Sequence, residues 1–206
     1  HRQIILPQLG APGVSAHKVR SRSGFKVVYG PIRAIDLPAF LDAGFKATPK
    51  MRLKSFTTWE RAVLIPVELV EALKYGFLPL LLFFLTDLAT RSIAAGLYSV
   101  SAILAGIIAG AVLTPLLLPW LPGRPFSLKG MIPGVVAAAA LPFFHGGVWN
   151  SWPGRLETAG WFLIVPAIAT FLSMNFTGAS TYTSLSGVKK EMRWAVPLQI
   201  GAGTAG

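Results

Sequence analysis

The residues that decide the fold class are 93–118, which read IAAGLYSVSAILAGIIAGAVLTPLLL. These 26 residues carry no charged side chain, and about 20 apolar residues are enough for a helix to cross a bilayer. Ala102, Gly106 and Gly110 recur every fourth residue, which places them on one face of a helix. Small side chains on one face allow a second helix to approach closely. The stretch therefore predicts a membrane-spanning helix with one tightly packed face.

Further apolar segments lie on both sides of this stretch. We expect helices at about 60–88, 131–149, 158–174 and 194–206, in addition to the one at 93–118. The first begins after Thr57-Thr-Trp-Glu60, which has the spacing of a capping box. The last has only 13 residues, so we expect the natural chain to continue beyond Gly206. Residues 56–206 are therefore predicted to form a polytopic transmembrane helical domain of about five helices, the last truncated.

Charge is concentrated in the N-terminal part of the chain. The chain has 206 residues, of which 13% are charged, about half the share that is usual in a soluble domain. Residues 1–61 hold 11 of the 19 Lys and Arg side chains, which indicates a small soluble part joined to a membrane domain. The cations flank apolar segments and no recognition-helix pattern accompanies them, so we expect no nucleic-acid partner despite the net charge of +11.

Residues that commonly bind metals are scarce. The sequence contains no cysteine, which excludes disulfides, cysteine-ligated zinc and iron–sulfur clusters within this stretch. The three histidines, His1, His17 and His145, lie far apart and do not have the spacing of metal ligands. We therefore expect no metal site built from these residues.

Residues 1–55 have the pattern of an α/β segment. Apolar strands are predicted at Gln3–Leu6 and Phe25–Tyr29, and each is followed by a loop and a short helix. Two such units are too few for a stable doubly wound sheet. We therefore expect the last part of a larger Rossmann-like domain whose start precedes His1. The expected fold class is mostly α, with the transmembrane domain preceded by this α/β part.

The loops after the two strands are the candidate ligand-binding segments, because ligands bind beyond the carboxyl ends of strands in open α/β sheets. The first loop comprises Leu9, Gly10, Ala11, Pro12, Gly13 and Val14, and the second begins at Tyr29, Gly30 and Pro31. Glycine has no Cβ atom, so a cofactor can approach its backbone closely. The same residues also suit an ordinary tight turn, and they do not form the G-x-G-x-x-G nucleotide fingerprint.

Positive charge sets the expected orientation. If residues 1–57 are cytoplasmic, the loops at 119–130 and 176–193 lie on the same side. These two loops carry five cations, namely Arg124, Lys129, Lys189, Lys190 and Arg193, whereas the opposite loops carry two, Arg91 and Arg155. The positive-inside rule therefore predicts a multi-pass protein of the cell membrane with its α/β part in the cytoplasm. The basic linker at 45–57 would then lie close to anionic membrane lipid.

The densest polar segment follows the fourth predicted helix. Hydroxyl side chains crowd residues 177–184, and cations crowd residues 189–193. The candidate residues are Asn175, Thr177, Ser180, Thr181, Tyr182, Thr183, Ser184, Lys189, Lys190 and Arg193. An anion-binding loop, a re-entrant loop that satisfies its own backbone and a docking surface are all compatible with this composition.

Charged residues also occur inside the first predicted crossing. Glu68, Glu71 and Lys74 fall within about a third of the helix circumference. They indicate either an ion or proton path, or a lysine that pairs with the glutamates or extends to the membrane surface.

Three segments resemble a known family. Residues 5–17 (ILPQLGAPGVSAH) and 23–41 (SGFKVVYGPIRAIDLPAFL) resemble the late part of a corrinoid-binding domain. That domain is shared by the large subunit of the corrinoid iron–sulfur protein and by the HgcA family of mercury-methylating corrinoid proteins. Residues 175–192 (NFTGASTYTSLSGVKKEM) resemble the membrane domain of the HgcA family.

The resemblance implies an enzyme, a membrane-anchored corrinoid-dependent methyltransferase. Such an enzyme transfers a methyl group from the cobalt of a cobalamin-type corrinoid to Hg(II), forming methylmercury. The resemblance also implies a partner, the ferredoxin HgcB with two 4Fe–4S clusters, which returns the cobalt to its reduced state. Finally, it implies a cap-helix cysteine beneath the cobalt, in an Asn-Val-Trp-Cys-Ala-type motif. This sequence has no cysteine, so we expect that motif upstream of His1, no catalytic residue within the fragment, and a fragment that is inactive alone.

By the same resemblance, Leu9–Val14 and Tyr29–Pro31 contact the corrin face or its tail. Segment 175–193 docks beneath the corrinoid domain or receives the ferredoxin, whose acidic surface would suit the cations at 189–193. Two alternatives remain: a membrane-bound corrinoid methyl carrier of one-carbon metabolism, and a small-solute transporter whose proline-broken helices surround a site in the membrane.

Overall fold

The computed structural model describes residues 2–144, 151–176 and 185–206, and these are mostly helical. The chain divides into two compact units, His1–Ser55 and Phe56–Gly206. The strands and helices are, in chain order, β1 (Gln3–Pro7), α1 (Ala16–Ser23), β2 (Lys26–Gly30), α2 (Leu37–Asp42), α3 (Thr58–Ala62), α4 (Ile65–Thr90), α5 (Ile93–Ile108), α6 (Thr114–Leu117), α7 (Phe126–Phe144), α8 (Trp152–Asn175) and α9 (Leu185–Ala205).

The first unit contains both predicted strands, each ending one residue later than expected. β1 and β2 pair in parallel, with α1 between them in the chain, and Pro7 is the register partner of Gly30. Phe40 of α2 is fully buried and meets Phe45 edge to face, with ring centroids 5.9 Å apart. Two parallel strands joined by one helix form a single βαβ unit, which alone does not distinguish a Rossmann-like domain from other α/β folds.

The second unit begins with the predicted capping box, which is confirmed. The amide of Thr57 donates to Glu60 Oε2 at 2.9 Å, and the amide of Glu60 donates to Thr57 Oγ1 at 3.3 Å. These two bonds satisfy amide groups that have no partner inside the first turn of a helix. They fix the start of α3.

Within the described residues, four helices are long and apolar enough to cross a membrane. They are Thr58–Thr90, Ile93–Leu117, Phe126–Phe144 and Trp152–Asn175. The start of a fifth, truncated crossing was expected at residue 194, but α9 begins at Leu185 and is not among the four. The reason is its charge, because Lys189, Lys190, Glu191 and Arg193 all fall in its first half.

The close packing predicted for the small-residue face of α5 is confirmed. Ala102 has no exposed surface, and a Cβ atom on Gly106 would lie 3.2 Å from the side chain of Ile168 on α8. On Gly110, in the π-helical turn after α5, a Cβ would lie 2.7 Å from the carbonyl oxygen of Ala169. At Gly110 the backbone therefore approaches α8 too closely for a side chain, and at Gly106 a side chain would require its neighbours on α8 to shift.

The third predicted helix, 131–149, begins five residues too late. In the structure α7 starts at Phe126, so Lys129, which was expected in a loop, is helical and only 6% exposed. Its Nζ donates to the carbonyl oxygen of Leu118 at 2.7 Å. The lysine thus satisfies a carbonyl beyond the C-terminus of α6, where cations are favourable. Residues 145–149 of this prediction, with His145, lie outside the described residues.

Candidate functional site

The two candidate loops of the first unit emerge at one edge of the sheet, here called the carboxyl edge (residues 8–14 and 29–31). Because β1 and β2 are parallel and Pro7 pairs with Gly30, the segments that follow them leave from the same side. Residues Gln8–Gly10 form a short 3₁₀ turn. The amides of Gly13 and Val14 then both donate to the carbonyl oxygen of Gly10, at 3.1 and 3.0 Å. The first loop is thereby folded back on itself.

Tyr29 connects the two halves of the carboxyl edge. Its hydroxyl group donates to the carbonyl oxygen of Val14, a residue 15 positions earlier in the chain. Leu9 is 56% exposed, and Pro12 and Gly13 are exposed, whereas Gly30 and Pro31 are buried. The predicted residues therefore converge, with the first loop on the surface and the second beneath it.

The glycines of the carboxyl edge serve different purposes. A Cβ atom on Gly30 would lie 3.0 Å from Ile5 Cγ2 and 3.5 Å from Phe40, so internal packing explains this glycine. On Gly10 and Gly13, the nearest atoms to an added Cβ are 4.0 and 3.8 Å away. Neither residue has the positive φ that favours glycine. Nothing inside this unit requires glycine at these two positions, and both leave space beside the backbone.

The chemistry of the carboxyl edge is that of a binding surface. Residues 8–14 and 29–31 include no carboxylate, histidine, lysine or arginine. In the described part of the chain, no group of three or more His, Cys, Asp or Glu side chains could hold a metal ion. His17 lies on α1 and is exposed. The edge can therefore hold a ligand through its shape and its backbone groups.

The polar segment after α8 proves to be helical at both ends. Asn175 is the last residue of α8, and Lys189, Lys190 and Arg193 lie exposed on α9, where a loop was expected. The stretch has the two faces of a packed helix, because the cations are exposed whereas Glu191 is buried and accepts a hydrogen bond from the amide of Ser127 at 2.5 Å. The remaining candidates, Thr177, Ser180, Thr181, Tyr182, Thr183 and Ser184, lie outside the described residues.

Lys74 of the first crossing was expected either to pair with the glutamates or to extend to the membrane surface, and the described contact is with an aromatic ring. The ammonium group of Lys74 lies 5.5 Å from the ring centroid of Tyr75, a cation–π contact. Glu68 and Glu71 line a groove of about 740 Å³ within the second unit.

A second polar cluster was not anticipated from the sequence. Arg91 donates to both carboxylate oxygens of Glu157, at 2.8 and 2.5 Å, and lies 3.5 Å from Asp87. Asp87 also accepts a hydrogen bond from the buried Ser99. Hydrogen bonding to Glu157 raises the pKa of Arg91 above its ordinary value, so the guanidinium group stays charged. This triad (Asp87, Arg91 and Glu157) links the end of α4 to the start of α8.

Comparison with protein-family models, with curated proteins and with solved structures finds no match for this chain. The function must therefore be argued from the residues and their placement. The carboxyl edge is the most specific candidate for a cofactor, and the exposed cations of α9 are the candidate for a protein partner.

Proposed function

We propose that this chain is part of a membrane-anchored, corrinoid-dependent methyltransferase that forms methylmercury from Hg(II). The observation that carries the proposal is the carboxyl edge, where two glycines without an internal role face open space. The segments that build this edge are the ones that resemble the corrinoid-binding domain of the HgcA family. Four helices with the length and composition of membrane spans follow it, in the order expected for that family.

The residues present fit a corrinoid. A corrinoid is broad and requires backbone that it can approach without obstruction, which Gly10 and Gly13 offer because a Cβ on either would meet nothing closer than 3.8 Å. Leu9 and Pro12 add exposed apolar surface beside them. Tyr29 holds the loop through Val14, so the surface is fixed before a ligand arrives.

In the proposed enzyme, a bound corrinoid supplies a cobalt-carried methyl group for transfer to Hg(II). The residues of this chain bind and position it. The loop Leu9–Val14 contacts one side of the corrinoid, and Tyr29 keeps that loop in place. The exposed Lys189, Lys190 and Arg193 receive the acidic surface of a ferredoxin with two 4Fe–4S clusters, by charge complementarity. The multi-pass helices anchor the enzyme in the cell membrane, with the corrinoid domain in the cytoplasm.

Two sets of substitutions in the full-length protein separate the cofactor role from the partner role. Gly13→Leu should lower the cobalt content of the purified protein and methylmercury formation together, because the leucine occupies the space proposed for the corrin. Ser21→Leu is the matched control, since Ser21 is an exposed residue near the end of α1, before β2 begins. Joint replacement of Lys189, Lys190 and Arg193 by Ala should leave cobalt content unchanged and weaken ferredoxin binding.

Each outcome bears on a different part of the proposal. Equal cobalt content in Gly13→Leu and wild type contradicts the corrinoid site. Bound corrinoid without methylmercury formation contradicts Hg(II) as the acceptor. Unchanged ferredoxin binding by the triple variant contradicts the docking role of α9.

A further inference from the structure

A groove of the second unit is lined by Glu68 and Glu71 and is here called the α4–α9 groove. Helices α4, α8 and α9 form most of its lining, and α5 contributes Ile103 and Ile107. Its volume of about 740 Å³ is within the range typical of small-molecule sites. Glu68 and Phe83 of α4 both line it, and fifteen residues of helix span roughly 22 Å. The groove is therefore longer than one leaflet of hydrocarbon, about 15 Å.

The polar residues that line the groove are two glutamates with three residues that both donate and accept, namely Glu68, Glu71, Tyr75, Asn175 and Gln199. Glu68 and Glu71 provide carboxylates, and in the part of the chain that the structure describes neither forms an ion pair. Gln199 donates its amide nitrogen to Thr170 Oγ1 at 3.2 Å and to Met174 Sδ at 3.3 Å. Among the described residues its buried carbonyl oxygen has no partner. Glu68 is half-buried and Glu71 is exposed, so both are accessible to a ligand in the groove. Buried acceptors are normally satisfied, so the Gln199 oxygen calls for a donor.

The rest of the groove is apolar. Ile103, Ile107, Ile168, Phe171 and Ile200 line it together with the small residues of α4 and α9. A long apolar channel with carboxylates among its lining groups matches an amphiphile that has a cationic head and a hydrocarbon tail. A packed transmembrane helix would suit it less, because burying unpaired carboxylates against apolar side chains is costly.

We propose that the α4–α9 groove binds a phospholipid whose headgroup carries a primary ammonium, as in phosphatidylethanolamine. The ammonium group donates hydrogen bonds to Glu68 and Glu71, and one acyl chain lies along the apolar part. A primary ammonium has three N–H donors, whereas the quaternary ammonium of phosphatidylcholine has none. The site is independent of the corrinoid proposal, since it lies within the second unit.

Native mass spectrometry of the full chain tests this site. The protein is released from mixed micelles that contain phosphatidylethanolamine, phosphatidylcholine and phosphatidylglycerol with identical acyl chains. Phosphatidylethanolamine should be retained about tenfold over phosphatidylcholine, because charge-assisted hydrogen bonds are available to the first alone. Joint Glu68→Gln and Glu71→Gln substitution should remove this preference. Asp42→Asn, which removes one carboxylate from an exposed position in the first unit, should preserve it.

Two glycines of α9 provide a matched test of the apolar part. A Cβ atom on Gly201 or on Gly203 would meet nothing within 4 Å, but only Gly203 is among the residues that line the groove. Gly203→Leu should therefore lower retention of every lipid several-fold, and Gly201→Leu should leave it unchanged. Both changes favour helix, so loss of folding does not explain a difference between them.

Three results would overturn the inference. Equal retention of phosphatidylethanolamine and phosphatidylcholine contradicts the ammonium site. Equal lipid retention by Gly201→Leu and Gly203→Leu contradicts the acyl-chain site. A lipid-free dimer that Gly203→Leu dissociates would show instead that a second copy of the chain fills the groove.

Discussion

Glu191 should be the carboxylate on which the arrangement of the second unit depends most strongly. It is 7% exposed and accepts a hydrogen bond from the amide of Ser127, at the second residue of α7. A hydrogen bond to a charged group contributes about 1.5–3 kcal/mol, and a carboxylate at a helix N-terminus adds about 0.3–1 kcal/mol. Glu191→Ala should thus lower the free energy of unfolding by roughly 2–4 kcal/mol. Glu191→Gln should cost about half as much, because an amide oxygen still accepts the bond without the charge.

The measurement combines global and local stability of the protein in detergent. Unfolding followed by circular dichroism gives the free energy, and hydrogen exchange reports the amides at the start of α7. Lys190→Ala is the control, since Lys190 is exposed on the same turn and should change stability by less than about 0.5 kcal/mol. Equal loss of stability in the Glu191 and Lys190 variants would refute the reasoning. So would unchanged exchange at Ser127 in Glu191→Ala, because the carboxylate would then not protect that amide.

Two further substitutions test the packing and the charge of the bundle. Gly110→Ala should destabilise the protein by about 1–3 kcal/mol, because the new Cβ meets backbone at 2.7 Å. Gly201→Ala should stabilise it by about 0.5–1 kcal/mol, because its Cβ meets nothing within 4 Å and alanine favours helix. Thermal unfolding measures both variants, and a higher stability of Gly110→Ala than of Gly201→Ala would contradict the packing. Arg91→Gln should cost about 1 kcal/mol at low salt, and less at high salt, because Arg91 is half exposed while Glu157 is left without its cation. A loss of stability in Arg91→Gln that is the same at low and high salt would show that the triad acts through packing.

Features that depend on neighbouring residues could be predicted from the sequence. The capping box of Thr57 and Glu60 lies within four residues, and the strands end within one residue of their predicted bounds. The start of α8 could also have been found this way. Ser151 accepts a hydrogen bond from the amide of Gly154, and proline stands in the first turn, which is a local helix-start pattern. The prediction placed this start at residue 158 because it followed hydropathy alone.

Features that depend on distant contacts could not be predicted. The contact between Ser127 and Glu191, near the starts of α7 and α9, joins residues that are 64 positions apart. In the triad, the spacing of Asp87 and Arg91 is visible in the sequence, but Glu157 lies 66 residues from its arginine. A charge pattern shows which residues can pair along one helix, and only the packing of α4 against α8 shows which residues pair between helices.

Glycine illustrates why the sequence alone left the candidate sites open. In the sequence, Gly13, Gly110 and Gly203 are equivalent, since each removes a side chain from a turn or a helix. In the structure, Gly110 is explained by the backbone of α8 at 2.7 Å. The nearest atom to a Cβ on Gly13 is 3.8 Å away, and a Cβ on Gly203 has none within 4 Å. Open space alone does not identify a site, because Gly201 has it and is not among the residues that line the α4–α9 groove. Open space becomes informative where a second feature accompanies it: the ends of two parallel strands at Gly13, and an apolar groove with two carboxylates at Gly203. Gly13→Leu and Gly203→Leu therefore test the two proposals at glycines that internal packing does not explain.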